Sequence, residues 1–94
     1  MNYWKNKRST VDFVTPNGDL ATIYHETAIY TKNRNTVTLN SGGWETVTTK
    51  RRINQCFERD NLPYKVYQKV GIWYVYDANT DNSMLFRDGM VLSC

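Results

Sequence analysis

The chain has 94 residues, of which 40% are hydrophobic, 22% charged and 14% aromatic. This length fits one domain with a modest core, and this composition argues against disorder in the body of the chain. No segment approaches the roughly 20 apolar residues of a membrane-spanning helix. The basic N-terminal segment lacks the apolar stretch of a secretory signal, so we expect a cytoplasmic protein.

The chain has a net charge of +3, but two short segments carry +3 each and the remaining residues sum to −3. Residues 1–10 carry three cations and no acid, and residues 50–52 are Lys, Arg and Arg. Such clusters are typical either of a solvated face or of a surface that binds nucleic acid or an acidic partner. We expect residues 1–8 to form a basic, partly flexible lead-in and residues 9–94 to form a single domain.

Four strands are predicted in the first half of the chain, because strand-forming residues alternate with polar ones there. Pro16-Asn17-Gly18-Asp19 is a turn sequence, which predicts a hairpin between the first two strands. His25-Glu26 marks a break between the second and the third. The four predicted strands are residues 10–14, 20–24, 27–31 and 36–39.

After Gly43 the hydrophobic pattern changes to the period of a helix, which predicts one amphipathic helix over about 44–60. Ser41 or a glycine is the expected cap, Glu45 lies in the expected first turn, and Pro63 follows the end. The predicted inner stripe is Thr46, Thr49, Ile53, Cys56 and Phe57. The predicted outer stripe is Thr48, Arg51, Arg52, Gln55 and Arg59.

A second hairpin is predicted over 64–69 and 72–76, turning at Val70-Gly71, with shorter strands at 84–87 and 90–92. The element order ββββαββ(ββ) groups strands around one helix. It predicts an α+β fold with a mainly antiparallel sheet of six to eight short strands and the helix packed on one face.

One face of this second hairpin interleaves aromatic and cationic residues. A tight turn pairs Tyr67 with Tyr74 and directs Val66, Trp73 and Val75 to the core side. Single-stranded nucleic-acid binders use such faces, stacking bases on rings and following phosphates with Lys. Two alternatives stay open: the tyrosines stabilise an exposed sheet by cross-strand pairing, or the helix covers them. The interleaved residues are Lys65, Tyr67, Lys69, Ile72, Tyr74 and Tyr76.

Catalytic and metal-binding patterns are weak in this sequence. His25 is the sole histidine, and the two cysteines, Cys56 and Cys94, lack the spacing of a disulfide framework or a zinc site. Ser41-Gly42-Gly43 lacks the spacing of a P-loop, which favours a strand-to-helix turn over a phosphate site. We therefore expect no enzyme, metal or cofactor; the alternative is an enzyme that uses His25 and a nearby acid.

The run Thr36–Trp44, TVTLNSGGW, continues with Thr48-Thr49-Lys50 and Arg52-x-Asn54-Gln55. Two later runs, Tyr67-Gln68-Lys69 and Phe86-Arg87-Asp88-Gly89-Met90, contribute to the same resemblance. In these segments the chain resembles small uncharacterised proteins of tailed bacteriophages. The resemblance implies a viral origin and a host-cytoplasm setting, and it brings no established activity.

Two functional hypotheses follow. The first is a small phage-type protein that binds nucleic acid through a basic helix face and an aromatic, basic hairpin. The second is an inhibitor or modulator of a host protein without catalytic activity, since Tyr, Trp and Arg are common interface anchors. Exposed strand edges also permit self-association. The residues predicted to bind nucleic acid are Lys50, Arg51, Arg52, Arg59, Lys65, Tyr67, Lys69, Tyr74 and Trp44.

Overall fold

A computed structural model describes residues 11–94, so the predicted basic lead-in lies outside the described residues. The described part contains eight strands and one helix, which confirms the α+β class and the predicted element order. The elements are β1 Val11–Val14, β2 Leu20–Tyr24, β3 Thr27–Lys32, β4 Thr36–Leu39, α1 Val47–Arg59, β5 Tyr64–Lys69, β6 Ile72–Asp77, β7 Asn82–Leu85 and β8 Met90–Ser93.

The strands form two antiparallel sheets. The first has five strands in the order β1-β2-β3-β4-β8, and the second has three in the order β5-β6-β7. The last strand, β8, returns to the first sheet, where Leu39 pairs with Met90 and Thr36 with Ser93. The second sheet is thus an insertion between two neighbouring strands of the first sheet.

The helix is shorter than the predicted span of 44–60. It begins at Val47, because Thr46 is the N-cap and its hydroxyl accepts a hydrogen bond from the N–H of Thr49 at 3.2 Å. The prediction of Ser41 or a glycine as cap is therefore wrong, and no acid lies in the first turn. The inner stripe is otherwise as predicted, with these side chains buried: Thr49, Ile53, Cys56 and Phe57.

One continuous core joins both sheets to the helix. Tyr30 of β3 contacts Phe57 of the helix edge to face, with ring centroids 5.6 Å apart. Trp73 of β6 contacts Phe86 in the same way at 5.2 Å. Burying aromatic side chains of this size contributes about 1.5–3 kcal/mol each, so the Tyr30–Phe57 contact helps to hold the helix, whose first turn contains the weak helix formers Thr48 and Thr49.

Asn54 docks the helix against the edge of the second sheet. Its Nδ2 donates to the carbonyl oxygen of Val66 at 2.9 Å, and the N–H of Val66 donates to Asn54 Oδ1 at 2.7 Å. This side-chain amide satisfies both backbone groups of Val66 in the way that a neighbouring strand would. The β5 edge is therefore covered by the helix.

The loop before the helix is tied to the turn before β8. The N–H and the hydroxyl of Ser41 both donate to Asp88 Oδ1, at 2.8 and 2.7 Å. Gly42 packs so closely on Thr27 that an added Cβ would overlap Thr27 Oγ1. Two of the runs that carry the phage resemblance are thus in direct contact.

Among residues 11–94, the structure contains no helix with the length and apolar character of a membrane span.

Candidate nucleic-acid interface

The outer face of the second sheet carries the interleaved aromatic and cationic residues. The register pairs Tyr67 with Tyr74, as predicted from the tight turn, and it also pairs Lys69 with Ile72. Val66 and Trp73 point the other way and belong to the core that includes the helix. The alternative in which the helix covers the tyrosines is therefore wrong.

Tyr67 and Tyr74 form a stacked pair on this outer face. Their ring centroids are 5.4 Å apart and their planes differ by 23°. The hydroxyl of Tyr67 donates to Ser83 Oγ of β7 at 2.8 Å, which fixes its ring against the sheet. Both tyrosines are half-buried, so part of each ring stays accessible to a ligand.

A shallow depression lies between the helix and β5, with a volume of about 420 Å³. We call it the basic depression. It is lined by Val47, Lys50, Arg51, Asn54, Gln55, Glu58 and Lys65. Three of them are cations and one is an acid, which gives a net charge of +2. Lys50 Nζ lies 3.5 Å from Gln68 Oε1 of β5, and Arg51 is exposed.

Lys65 joins the basic depression to the outer face of the second sheet. It lines the depression beside Lys50 and Arg51. It also pairs with Tyr76 on the face that carries Tyr67, because its register position is two residues before Tyr67 on the same strand. The basic helix residues and the aromatic hairpin are therefore contiguous surfaces.

Arg59 lies apart from this surface. Its guanidinium forms salt bridges with Asp12 of β1 at 3.0 Å and with Asp60 at 3.1 Å, and it lies 5.7 Å from the centre of the Tyr30 ring. The hydrogen bond to Asp60 raises the pKa of Arg59. The structure places Arg59 against the first sheet and not beside Arg51, where it joins the end of the helix to β1.

Tyr30 and Asp60 complete this network. The Tyr30 hydroxyl donates to Asp60 Oδ2 at 2.7 Å. Burial raises the pKa of Tyr30, and the hydrogen bond to Asp60 raises it further. Partial burial alone would raise the pKa of Asp60, but the hydrogen bonds from Arg59 and Tyr30 outweigh it and the pKa lies below its usual value.

Arg52 is half-buried, and its Nη1 donates to Gln55 Oε1 at 3.2 Å. Arg52 and Arg59 are seven positions apart, about two helical turns, so both lie on one flank of the helix. Arg51 is exposed on a different flank. Of the four predicted cations on the helix, the structure groups Lys50 and Arg51 with the hairpin.

Trp44 precedes the helix and lies in a second pocket, of about 390 Å³, lined by His25, Glu26 and Trp44. Trp44 is 59% exposed. The imidazole of His25 lies 4.3 Å from the Tyr24 ring and 6.4 Å from the Trp44 ring, centre to centre. Neither His25 nor Glu26 is among the residues predicted to bind nucleic acid, because the sequence marks them as a break between strands and offers His25 otherwise only for the alternative of an enzyme.

Among residues 11–94, no three His, Cys, Asp or Glu side chains are placed to hold a metal ion. Cys56 is buried in the core, as predicted, and burial raises the pKa of its thiol. A raised pKa disfavours the thiolate, which is the reactive form of cysteine.

The family model described as "Kyanoviridae Gp96 protein" matches residues 1–93. No curated protein and no solved structure matches the chain. Because the match spans all but the last of the 94 residues, the resemblance to small phage proteins is confirmed. The chain therefore belongs to the Kyanoviridae Gp96 protein family, a family of phage proteins.

Proposed function

We propose that this phage protein binds single-stranded nucleic acid across the basic depression and the outer face of the second sheet. The observation that carries the proposal is the contiguity of the two surfaces at Lys65. A strand bound there meets cations on the helix, then cations and rings along β5. The proposal includes no catalytic step.

The cations are spaced along the direction that a bound strand would follow. Lys65 and Lys69 are exposed and lie on the same face of β5, four residues and so about 13 Å apart. Lys50 and Arg51 extend this line across the depression. Phosphates bound by such cations release counterions, which makes affinity dependent on salt.

The stacked tyrosines supply the second requirement of a single-strand binder. Tyr67 lies between Lys65 and Lys69 on β5, and Tyr74 lies beside it on β6. Unpaired bases stack on such rings with about 1–3 kcal/mol per base, with little dependence on sequence. We infer that Tyr67 and Tyr74 receive bases while the lysines contact the backbone.

Arg59 has a different role under this proposal. Its charge is balanced by Asp12 and Asp60, so freeing it for a phosphate would break two ion pairs. We infer that Arg59 stabilises the fold and contributes little to binding.

The test measures the anisotropy of a labelled 15-nucleotide oligo-dT at several salt concentrations. The double variant K65A/K69A is compared with R34A/R87A, which removes two exposed cations elsewhere. Both doubles change the net charge from +3 to +1. We expect K65A/K69A to lower affinity at least tenfold and to reduce the salt slope by about 1.4, since each neutralised phosphate of a single strand contributes about 0.7 to that slope. Equal effects of the two doubles would show that net charge, and not this surface, governs binding.

A second candidate, binding of a host protein, is favoured by apolar residues on the same outer face. Ile72 and Leu85 are exposed there, and Leu85 pairs with Tyr74. Aromatic and aliphatic side chains of this kind anchor protein interfaces. Affinity capture from nuclease-treated host lysate tests it: a partner that I72D/L85D no longer captures supports this function, and capture of no partner contradicts it.

A further inference from the structure

The last strand of the second sheet, β7, forms an open edge. The strand order β5-β6-β7 gives β7 a neighbouring strand on one side only. All four of its residues are exposed, including Met84 at 37% and Leu85 at 54%. A strand edge of this kind presents N–H and C=O groups that can pair with a further strand.

The hydrogen-bond pattern identifies the backbone groups that point to this edge. The N–H of Phe86 donates to the carbonyl oxygen of Trp73 at 3.0 Å, so Phe86 and Trp73 form a hydrogen-bonded pair. Such pairs alternate along an antiparallel ladder, so Met84 bonds to β6, whereas the backbone groups of Ser83 and Leu85 point away from it. Two N–H and two C=O groups therefore lie along the open edge.

The other strand edges of the described residues each have some protection. On β5, Asn54 occupies both outward backbone groups of Val66. On β8, the hydroxyl of Tyr64 donates to the carbonyl oxygen of Ser93. The edge strand β1 carries Asp12, and a charged residue on an edge strand discourages pairing. By contrast, β7 contains no charged residue and no proline.

The β7 edge is complementary to itself in one register. A two-fold axis beside Met84 places Ser83 of each copy opposite Leu85 of the other. The two outward N–H groups of each copy then donate to the two outward C=O groups of the other, so no outward group of these residues is left without a partner. The two Met84 residues form a non-hydrogen-bonded pair, with Cα atoms about 4.5 Å apart.

This register also matches charges beyond the ends of the strand. Asp81 and Arg87 are each three positions from Met84, so Asp81 of one copy lies opposite Arg87 of the other at both ends of the join. The carboxylate of Asp81 accepts a hydrogen bond from the Tyr76 hydroxyl at 2.6 Å, and Arg87 is exposed. Opposite charges at both ends favour this register over a shifted one.

We propose that β7 pairs antiparallel with β7 of a second copy of this chain, so that two second sheets form one six-stranded sheet. The join also brings the exposed apolar side chains of Met84 and Leu85 together. Each copy contributes a short strand, far less than the roughly 20–30 residues per side of a stable interface. The pair therefore forms at high local concentration and dissociates on dilution, so dilute titrations report single copies.

The pairing extends the outer face of the second sheet. Because the two-fold axis of an antiparallel strand pair is perpendicular to the sheet, the outer faces of both copies point to the same side. The two β5 strands lie at opposite ends of the six-stranded sheet, five strand spacings or about 24 Å apart. A nucleic acid that reaches both ends would be held at two sites, a consequence that rests on the proposed function. The pairing itself does not rest on it.

The test is disulfide formation by Met84→Cys in a Cys94→Ser background, under mild oxidation at high protein concentration and without nucleic acid. The expected Cα separation of about 4.5 Å lies within the range of a disulfide. The matched control is Asn79→Cys in the same background, because Asn79 is exposed in the turn between β6 and β7. We expect M84C/C94S to form covalent dimers roughly fivefold faster than N79C/C94S.

Two further substitutions in M84C/C94S test the register. Leu85→Pro removes an outward N–H and leaves the ladder to β6 intact, and Arg87→Glu places a carboxylate opposite Asp81. Each should slow dimer formation roughly threefold. The Arg87 variant changes an exposed side chain, so it tests the register even if the proline variant does not fold.

The outcomes separate the pairing from the proposed function. Equal rates for M84C/C94S and N79C/C94S, or no effect of Arg87→Glu, overturn the pairing and leave the basic surface intact. Rapid, register-dependent dimer formation by a protein that binds no oligo-dT supports the pairing and overturns the proposed function alone.

Discussion

Asn54 joins the helix to the β5 edge through hydrogen bonds to both backbone groups of Val66. We expect Asn54→Ala to destabilise the protein strongly for a residue that is not fully buried. The substitution removes two hydrogen bonds and leaves the N–H and C=O of Val66 without their partner. It also removes the constraint that keeps Lys50 and Arg51 beside Lys65.

The magnitude follows from the two bonds. Each contributes about 1 kcal/mol net, and each backbone group left unsatisfied near the core adds a desolvation cost of about 1 kcal/mol or more where water does not replace the partner. The expected loss is therefore about 2–4 kcal/mol. A 94-residue domain has a total unfolding free energy of about 5–14 kcal/mol, so this loss is a large share. It corresponds to a fall in Tm of at least about 8 °C.

Urea unfolding followed by circular dichroism measures this difference. Gln55→Ala is the matched control, because Gln55 is the neighbouring amide, is exposed and bonds within the helix to Arg52. We expect the control to change stability by less than about 0.5 kcal/mol. If Asn54→Ala costs no more than the control, the helix is not held against the β5 edge by this side chain.

Three further predictions concern turns and ion pairs. Val70 has φ of 52° at a two-residue turn and is 91% exposed, so Val70→Asn should stabilise the protein by about 0.5–1 kcal/mol in urea unfolding; destabilisation would contradict the left-handed assignment. Gly42→Ala should cost about 2 kcal/mol more than Gly43→Ala, because both have positive φ but only Gly42 meets a neighbour; equal costs would argue against the close packing. The pKa of Asp60 is lowered in the folded state, so the ionised carboxylate stabilises the fold above about pH 4, and this stabilisation is lost as pH falls through the folded pKa. Asp60→Asn should therefore lower the free energy of unfolding at about pH 7 and make that free energy fall less steeply below about pH 4. An unchanged fall below about pH 4 would refute this expectation.

The second hairpin was predictable in detail because its information is local. The sequence alternates over 64–76, and a two-residue turn at Val70-Gly71 fixes the register of every pair along the hairpin. Given that register, the core side and the Tyr67 side follow directly. The inner stripe of the helix was predictable for the same reason, since its period is local.

The differences from prediction arise where distant residues meet. The hydroxyl of Ser41 was a plausible cap from the sequence, but it is engaged by Asp88, 47 residues away, and Thr46 caps the helix instead. The return of β8 to the first sheet has no local signal either. Helical spacing alone cannot separate Arg59 from Arg51, because the acid of β1 that binds Arg59 is also 47 residues away.

The contact between the His25 and Trp44 rings was beyond sequence reasoning for a related cause. The two residues are 19 positions apart, in the β2–β3 turn and in the loop before the helix, and the fold brings their rings within 6.4 Å of each other, centre to centre. A sequence signal did exist, since His-Glu replaces the residues that a two-residue turn favours. That signal becomes interpretable once the turn type is known.

The central claim is that one contiguous surface, joined at Lys65, binds single-stranded nucleic acid. The most direct measurement is the salt dependence of oligo-dT binding for the wild-type protein, K65A/K69A and R34A/R87A. We predict that log affinity falls linearly with log salt concentration, and that only K65A/K69A both weakens binding at least tenfold and makes this line shallower. Undetectable binding at low salt, or the same slope for all three proteins, would contradict the claim.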